Sequence, residues 1–329
     1  MTSPKEHDEG MGDPLEVSPL SSQTVRFVTS PLATVDSAEP IFEEEITPIA
    51  RLRVRTLGQL VHSRKFQFGI TLFGTVALLA IFAPLIARYN PDVPNFSALN
   101  QDPSSAHWLG TDYLGRDMWA RLVWGGRVSL PAGVVIVFIS FAIGVPWGII
   151  AGFGGRLIDD ALMRLIDVQL AFPGLVLAFA IIAILGSGIE SVVIALGIGG
   201  IPGYARVARA STLSVKELDY VLAARAQGAS PLQIMRIHVL RAIVDPLVIL
   251  ATLNLSGAIL AASALSFLGI GTQPPAADWG TMLANGFTYM FESWSQVVFP
   301  AVTIVVCVLG INMIGDALGE ALNPRQQRW

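Results

Sequence analysis

The chain has 329 residues, of which 53% are hydrophobic and only 14% are charged. Water-soluble globular chains carry about 25% charged residues, so this composition excludes an ordinary soluble domain and predicts a chain whose apolar surface faces lipid. The net charge of −4 is distributed unevenly, because residues 1–50 hold ten acidic residues against Lys5 and Arg26, whereas the rest of the chain is net basic.

The acidic N-terminal stretch predicts no packed structure. Residues 1–45 lack apolar periodicity, so they bury too little surface to offset the entropy of ordering. We expect a disordered acidic cytoplasmic tail; a regulatory or docking role for the cluster 43–45 is the alternative. Residues 46–65 then carry apolar residues at roughly helical spacing among basic ones. This pattern predicts an amphipathic membrane-surface helix, the alternative being a solvated linker helix.

Six uncharged apolar runs have, or approach, the length of a membrane-crossing helix. Such a helix needs roughly 20 residues, at about 1.5 Å each, to cross about 30 Å of hydrocarbon. The fourth run is short and glycine-rich, and it reaches this length only if Arg206 and Arg209 extend from its end towards the headgroups. The sequence therefore predicts an all-α, six-span transmembrane domain over 66–320 and a cytoplasmic C-terminal tail over 321–329. The six runs are 66–87, 128–153, 168–189, 191–205, 246–271 and 293–315.

Lysine and arginine flank these runs unequally, and this bias predicts the orientation. Cytoplasmic flanks of membrane helices carry the excess of positive charge. With the N-terminus in the cytoplasm, fifteen of the nineteen basic residues after position 50 fall on inner flanks, and four fall in the outer loop 88–127. We therefore expect a multi-pass protein of the plasma membrane with both termini in the cytoplasm.

The outer loop ends in a series of turn-forming and capping residues. Such a series is typical of consecutive tight turns. After the fifth run, Pro274 and Pro275 force an extended turn before Trp279. We expect these residues to form an outer gate or docking element; the alternative is that they only shape the loops. The turn residues are Gly110, Thr111, Asp112, Gly115, Arg116 and Asp117.

A polar, basic loop over 206–245 separates the fourth and fifth runs on the predicted cytoplasmic side. Alanines within 220–229 give a helix with little side-chain bulk, which can enter a groove on another protein. Gly228 is expected to end this helix, and Ser230 with Pro231 to begin the next one. A short helix joined to a span at each end acts as a lever, because force applied to it moves both spans.

This loop resembles the cytoplasmic coupling loop of bacterial ABC-import permeases, whose pattern is Glu-Ala-Ala, three residues and then Gly. Leu222 stands in place of the Glu, and Arg241 in place of a Pro that usually follows an apolar pair. Other blocks resemble dipeptide/oligopeptide permeases, in the subunit type with an extra N-terminal span and a Leu-Gly-Thr-Asp-x-x-Gly-Arg-Asp block. The resemblance covers about residues 60–325, and its further blocks are 107–130, 163–186, 266–283 and 311–325.

The resemblance implies a permease that transmits the motion of separate ATPases through a coupling helix between spans four and five. The implied partners are a second homologous permease subunit, two ABC ATPase subunits, an extracytoplasmic substrate-binding protein and membrane lipid, but no nucleic acid. The implied solute is a di- or oligopeptide, although family members also carry chelated nickel, glutathione or haem. The residues expected to contact an ATPase are Tyr220, Leu222, Ala223, Ala224, Arg225, Gly228, Ala229 and His238.

The sequence offers no pattern typical of catalysis. A phosphate-binding loop requires a lysine after glycine, and Lys5, Lys65 and Lys216 each follow another residue type. The four histidines are too dispersed to suggest a metal site. We therefore expect no enzymatic activity, metal or cofactor in this chain, with ATP and Mg²⁺ bound by partner ATPases. An ion-coupled secondary transporter is the alternative, although such a carrier more often places carboxylates in the middle of a span.

Overall fold

The computed structural model describes residues 60–322. The tail expected over 1–45, most of the surface helix expected over 46–65 and most of the tail over 321–329 lie outside the described residues. Within 60–322 the chain is helical apart from its connecting loops, and its one extended pairing is an isolated antiparallel bridge between Thr111 and Asp117. The predicted all-α class is therefore confirmed.

Ten helices make up the described part of the chain. Five of them, α1, α3, α6, α8 and α10, are long and apolar enough to cross a membrane. Helices α4 and α5 pass the same test together but meet at an angle of 88°, so the described range holds six spans when this bent pair is taken as one. The helices are α1 (Arg64–Ile81), α2 (Ala83–Ile86), α3 (Met118–Phe153), α4 (Arg156–Leu170), α5 (Gly174–Leu185), α6 (Ile189–Val215), α7 (Asp219–Ala226), α8 (Pro231–Phe267), α9 (Trp279–Thr288) and α10 (Ser295–Leu322).

The limits of the predicted spans differ from the helices where proline or an ion pair intervenes. The run 66–87 breaks at Phe82, before the proline-containing α2. The run 168–189 begins inside α4 and bends at Pro173, because proline lacks the N–H that would continue a helix. The fourth span extends past residue 205 as α6, whose Arg209 pairs with an aspartate of α4. This neighbouring carboxylate lets the helix continue beyond its apolar run.

Helix α3 is the long central helix, and it packs along α6 at unusually short range. Three glycines of α3 at four-residue intervals face α6. A Cβ atom added at Gly148 would lie 2.2 Å from the carbonyl oxygen of Ala205, and one at Gly144 would lie 2.7 Å from that of Ile201. Such small residues permit the close backbone approach that membrane helix pairs use. The α3–α6 pair therefore forms a tightly packed centre of the bundle.

Helix α1 packs on the far end of the chain, against α10. Gly69 and Gly310 meet there, since a Cβ atom added at Gly69 would lie 2.8 Å from the carbonyl oxygen of Gly310. Lys65, at the start of α1, forms an ion pair with Glu320 near the end of α10. The extra N-terminal span implied by the family resemblance is thus held by the last span of the chain.

Candidate functional site

The predicted coupling segment forms a short helix, α7, between the two membrane helices α6 and α8. After α7, Gly228 has a φ of +86°, a left-handed conformation that glycine adopts without strain. The N–H of Ala229 donates to the carbonyl oxygen of Ala224 at 3.1 Å and closes the end of the helix. Ser230 then begins α8, because its hydroxyl accepts a hydrogen bond from the N–H of Gln233 at 3.3 Å. The glycine stop and the serine cap are both as predicted.

Val221 fixes α7 to the membrane helices. Its side chain is fully buried in a cluster with apolar residues of α3, α6 and α8. Full burial of a valine contributes about 1.5–3 kcal/mol. Because Val221 shares one buried cluster with residues of three spans, a displacement of α7 is passed on to them instead of being absorbed by a loose loop. The other buried members of the cluster are Val145, Ile149, Tyr204, Ala208, Ile234, Val239, Ile243 and Leu247.

Outside this anchor, α7 and the start of α8 enclose an open hollow of about 470 Å³, here called the α7 hollow. The rings of Tyr220 and His238 lie on it with their centroids 6.0 Å apart. Alanines and a glycine form much of the remaining surface, so a protruding side chain of another protein has room to enter. Six of its residues are among those nominated from the sequence for ATPase contact. The lining residues are Tyr220, Ala223, Ala224, Gln227, Gly228, Ala229, Gln233 and His238.

The other two nominated residues lie outside the α7 hollow. Leu222 is on the surface, with 42% of its side chain exposed. The guanidinium of Arg225 lies 5.5 Å from the ring centre of Phe153, which is the last residue of α3. This distance is within the range of a cation–π interaction. The nominated set therefore divides into six residues around one hollow and two on other faces of α7.

Polar contacts that sequence reasoning did not assign connect the same end of the bundle. Arg209 of α6 holds Asp159 of α4 through both of its carboxylate oxygens, with Nη2 to Oδ2 at 2.6 Å. Lys216, just after α6, donates from Nζ to the carbonyl oxygen of Gly152 at 3.1 Å. These contacts fix the ends of α3, α4 and α6 around α7. The charges themselves were visible in the sequence, but no local spacing rule pairs residues so far apart.

The residues nominated for the outer gate lie in the cap, the name used here for residues 88–117 and 272–279, and all of them except Pro274 and Pro275 are buried. Oδ1 of Asp112 accepts the N–H groups of Leu114 and Arg116, each at 2.9 Å. Its Oδ2 accepts from Nε of Arg116 at 2.7 Å and lies 3.5 Å from Nε of Arg121. Thr111, fully buried, donates its hydroxyl to a backbone carbonyl in the preceding loop. These polar side chains are therefore bonded within the chain.

The second half of the same turn series joins the cap to α3. Asp117 accepts the N–H of Ala120 at 2.8 Å and so caps the helix, while its other oxygen lies 2.9 Å from Nδ1 of His107. Gly110 and Gly115 have φ values of +81° and +73°, which supply the two turns that the capping geometry needs. A gate or docking role for this surface stays a prediction, whereas its part in shaping the loop is visible in these contacts.

The segment after α8 completes the cap. Pro274 and Pro275 are exposed. Trp279 is 1% exposed, and its indole N–H donates to the carbonyl oxygen of Leu122 at 2.9 Å. Arg121 donates from Nη1 to the carbonyl oxygen of Pro275 at 3.3 Å. The loop before α3 and the loop after α8 are thus both attached to the first turns of α3, where Arg121 bonds to Pro91 and to Pro275.

Comparison with known proteins identifies the class of protein to which this fold belongs. The family model described as the inner membrane component of binding-protein-dependent transport systems matches residues 144–328, a range that includes α7 and its hollow. The chain belongs to this family. It is a membrane-spanning ABC-importer permease of the inner membrane, and the family predicted from the sequence blocks is confirmed.

Individual relatives narrow the class further. The dipeptide transport system permease protein DppC of Alkalihalophilus pseudofirmus is 38% identical over 297 residues, which cover 90% of this chain and 97% of that protein. The glutathione transport system permease protein GsiD of Pectobacterium atrosepticum is 42% identical over 248 residues, covering 75% and 82%. Among solved structures, an inward-facing form of the MetNI methionine ABC transporter has a TM-score of 0.51 at 22% identity, covering 63% of this chain and 98% of that one. This last match shows a shared fold.

Proposed function

We propose that this chain forms one half of the translocation path of an ATP-driven importer for di- or oligopeptides, and that α7 transmits the motion of an ATPase to it. The observation that carries the proposal is the α7 hollow. Its small side chains are open to a partner on one side, while Val221 of the same helix is fully buried among three spans. A load applied at the hollow is thereby passed into the membrane.

The mechanism follows from this packing. Two ATPase subunits bind ATP and Mg²⁺, and ATP binding brings them together. The α7 helix, seated in an ATPase groove, follows that movement. Because Val221 shares one buried cluster with residues of α3, α6 and α8, these helices tilt as a unit, and the path opens outward to receive solute. Hydrolysis lets the ATPases separate, and the helices return.

The proposed assembly also contains a second, homologous permease subunit, an extracytoplasmic substrate-binding protein and surrounding lipid. The excess of basic residues on the α7 side of the spans supports an orientation with both termini and α7 in the cytoplasm. A peptide solute is supported by the names of the relatives, since dipeptides and glutathione are both short amide-linked molecules. The substrate-binding protein would set the choice among them.

The decisive experiment is a matched pair of charge insertions on α7. Ala224→Arg places a guanidinium in the hollow, and Ala226→Arg places one on an exposed position of the same helix outside it. ATP-driven peptide uptake by the complete complex in proteoliposomes is expected to fall at least about tenfold for Ala224→Arg, because an unpaired charge is driven into the contact. Uptake with Ala226→Arg should stay close to wild type.

Two results would contradict the proposal. Equal uptake by wild type and Ala224→Arg would mean that no ATPase occupies the hollow. Full uptake by wild-type complex from which the ATPases are omitted would identify an ion-coupled carrier instead. Membrane insertion of both variants, checked by their yield in the purified complex, separates loss of coupling from loss of the protein.

A further inference from the structure

A second hollow, of about 340 Å³, opens between α3, α6 and α8. It lies at the middle of each helix: Ser140 lines it from α3, Gly203 from α6 and Asn254 from α8. Since these helices are candidate membrane spans, the hollow lies near the centre of the bilayer. It is called here the mid-span hollow.

Three glycines leave this hollow unfilled. A Cβ atom added at Gly199, Gly203 or Gly257 would have nothing within 4 Å. The glycines at the α3–α6 contact behave differently, since an added Cβ atom at Gly148 would strike a backbone oxygen at 2.2 Å. Packing within the chain therefore accounts for Gly148, but it does not account for Gly199, Gly203 and Gly257, three of the four glycines that line the mid-span hollow.

The polar groups of the hollow are neutral and incompletely used. Tyr204 is 1% exposed, yet its hydroxyl lacks a hydrogen-bond partner of normal geometry; the side chain of Asn254 is its polar neighbour. The hydroxyl of Ser140, in contrast, donates to the carbonyl oxygen of Gly197 at 2.8 Å. Among the described residues, none that lines the hollow carries a charge. Asn254 lines the hollow and is only half-buried; a carboxamide that faces lipid tails costs several kcal/mol, so the hollow fits a polar occupant better than a lipid tail.

We propose that the mid-span hollow is a solute-contact patch on this chain's half of the path, where the half-buried Asn254, with the buried Tyr204 beside it, hydrogen-bonds to the amide groups of a passing peptide; this rests on the function proposed above. A carboxamide both donates and accepts, so Asn254 matches a peptide N–H and C=O at once. The open glycines supply the width for varied side chains. The lack of charge keeps the contact independent of the peptide's own charge.

The patch is also connected to α7. Tyr204 and Val221 belong to the same buried cluster, and the Tyr204 ring packs edge-on against Phe141 of α3 with centroids 5.7 Å apart. A movement of α7 that passes through this cluster therefore shifts Tyr204, which lines the hollow. Contact with the solute would change together with the ATPase cycle.

Thiol labelling tests the patch directly, because Cys307 is the chain's single cysteine and is fully buried. In a Cys307→Ala background, Asn254→Cys is compared with Leu260→Cys, an exposed apolar position on α8 outside the hollow. Each variant is assembled in the complete complex and treated with a charged, membrane-impermeant methanethiosulfonate and with a lipid-soluble maleimide. The thiol at position 254 should react with the charged reagent, and saturating di- or tripeptide with ATP should slow it several-fold. The thiol at position 260 should react only with the maleimide.

Other labelling patterns overturn the proposal. Reaction of the thiol at position 254 with the maleimide alone would mean that the hollow faces lipid. Resistance to both reagents, or a cross-link to the second permease subunit, would make it a subunit contact. Peptide uptake by the wild-type complex is measured in the same preparations. If uptake requires ATP but the labelling fails, only the solute-contact patch is rejected. If uptake occurs without ATP, the proposed function itself is rejected.

A second pair of variants measures the path without cysteine chemistry. Gly203→Trp fills the mid-span hollow, whereas Gly74→Trp adds the same bulk at an equally open glycine on α1. Peptide uptake should fall at least about tenfold for Gly203→Trp, equivalent to about 1.4 kcal/mol or more, with normal assembly of the complex. Gly74→Trp should transport as wild type. Normal uptake by Gly203→Trp would overturn the patch.

Discussion

The cap and the α7 hollow lie at opposite ends of α3. The residues predicted from the sequence to be functional are mostly buried in the cap, whereas those around the hollow are mostly accessible. Helix α3 has 36 residues and is about 54 Å long; Asp117 caps its start, and Arg225 contacts Phe153 at its end. In the cap, Asp112, Arg116 and Asp117 are buried and bonded within the chain. Around the hollow, small and aromatic side chains are left open.

This difference shows that a sequence motif can reflect either the stability of a loop or contact with a partner. Asp112 and Arg116 are 4% and 3% exposed, so their contribution is to the stability of the loop that they hold. Tyr220, at 46% exposed, has little to hold within the chain and is available to a partner. Substitutions in the cap should therefore lower stability, and substitutions around the hollow should lower coupling while stability is kept.

The largest effect is expected from Asp112→Ala. The change leaves the buried guanidinium of Arg116 without its carboxylate and weakens the position of Arg121. Removal of one partner of a buried ion pair costs about 3–5 kcal/mol. We expect a marked fall in the unfolding midpoint of the purified protein, measured by thermal denaturation in detergent.

Asp102→Ala is the control for that prediction, because Asp102 is an exposed acid of the same loop. Its effect should stay within about 0.5 kcal/mol, as for most surface substitutions. If Asp112→Ala keeps full stability but loses peptide uptake, the comparison fails, because the cap would then act on transport as the hollow does.

A smaller effect is expected from Asp117→Ala, which removes the cap of α3 and the partner of His107. Loss of an N-cap side chain costs about 0.5–2 kcal/mol. Asp117→Asn keeps one oxygen, so it should restore part of the loss, and a graded series of unfolding midpoints is the expected result. Equal midpoints for the alanine and asparagine variants would show that the helix cap contributes little and that the charge opposite His107 matters most.

Local rules predicted the α7 region well. The end of the helix at Gly228 and the start of the next at Ser230 depend on neighbours within a few residues, and both are found. Six hollow-lining residues were nominated from the family resemblance, whose motif lies within one short stretch of chain. The burial of Val221 was missed, since its cluster is assembled from three distant helices.

Long-range pairing explains the other differences. Trp279, nominated for an outer gate or docking element, packs against Gly125 and Gly126 of α3, and no sequence spacing predicts that contact. The extension of α6 beyond its apolar run depends on Asp159, and the bend between α4 and α5 shortens the third span. Apolar length predicted that spans exist, whereas their limits depend on partners elsewhere in the chain.

The smallest effect on stability is expected from Tyr220→Ala, and it tests the comparison from the side of the hollow. The ring is 46% exposed and has His238 as its aromatic neighbour. The free energy of unfolding, followed by the unfolding midpoint, should therefore change by no more than about 0.5 kcal/mol. Removal of one wall of the hollow should still loosen the fit of an ATPase, and fewer peptides should enter per ATP hydrolysed by the complete complex. The loss should be smaller than with Ala224→Arg, because no charge is buried. If Tyr220→Ala instead lowers stability as much as Asp117→Ala, the hollow is a structural element like the cap, and its openness to a partner has no bearing on transport.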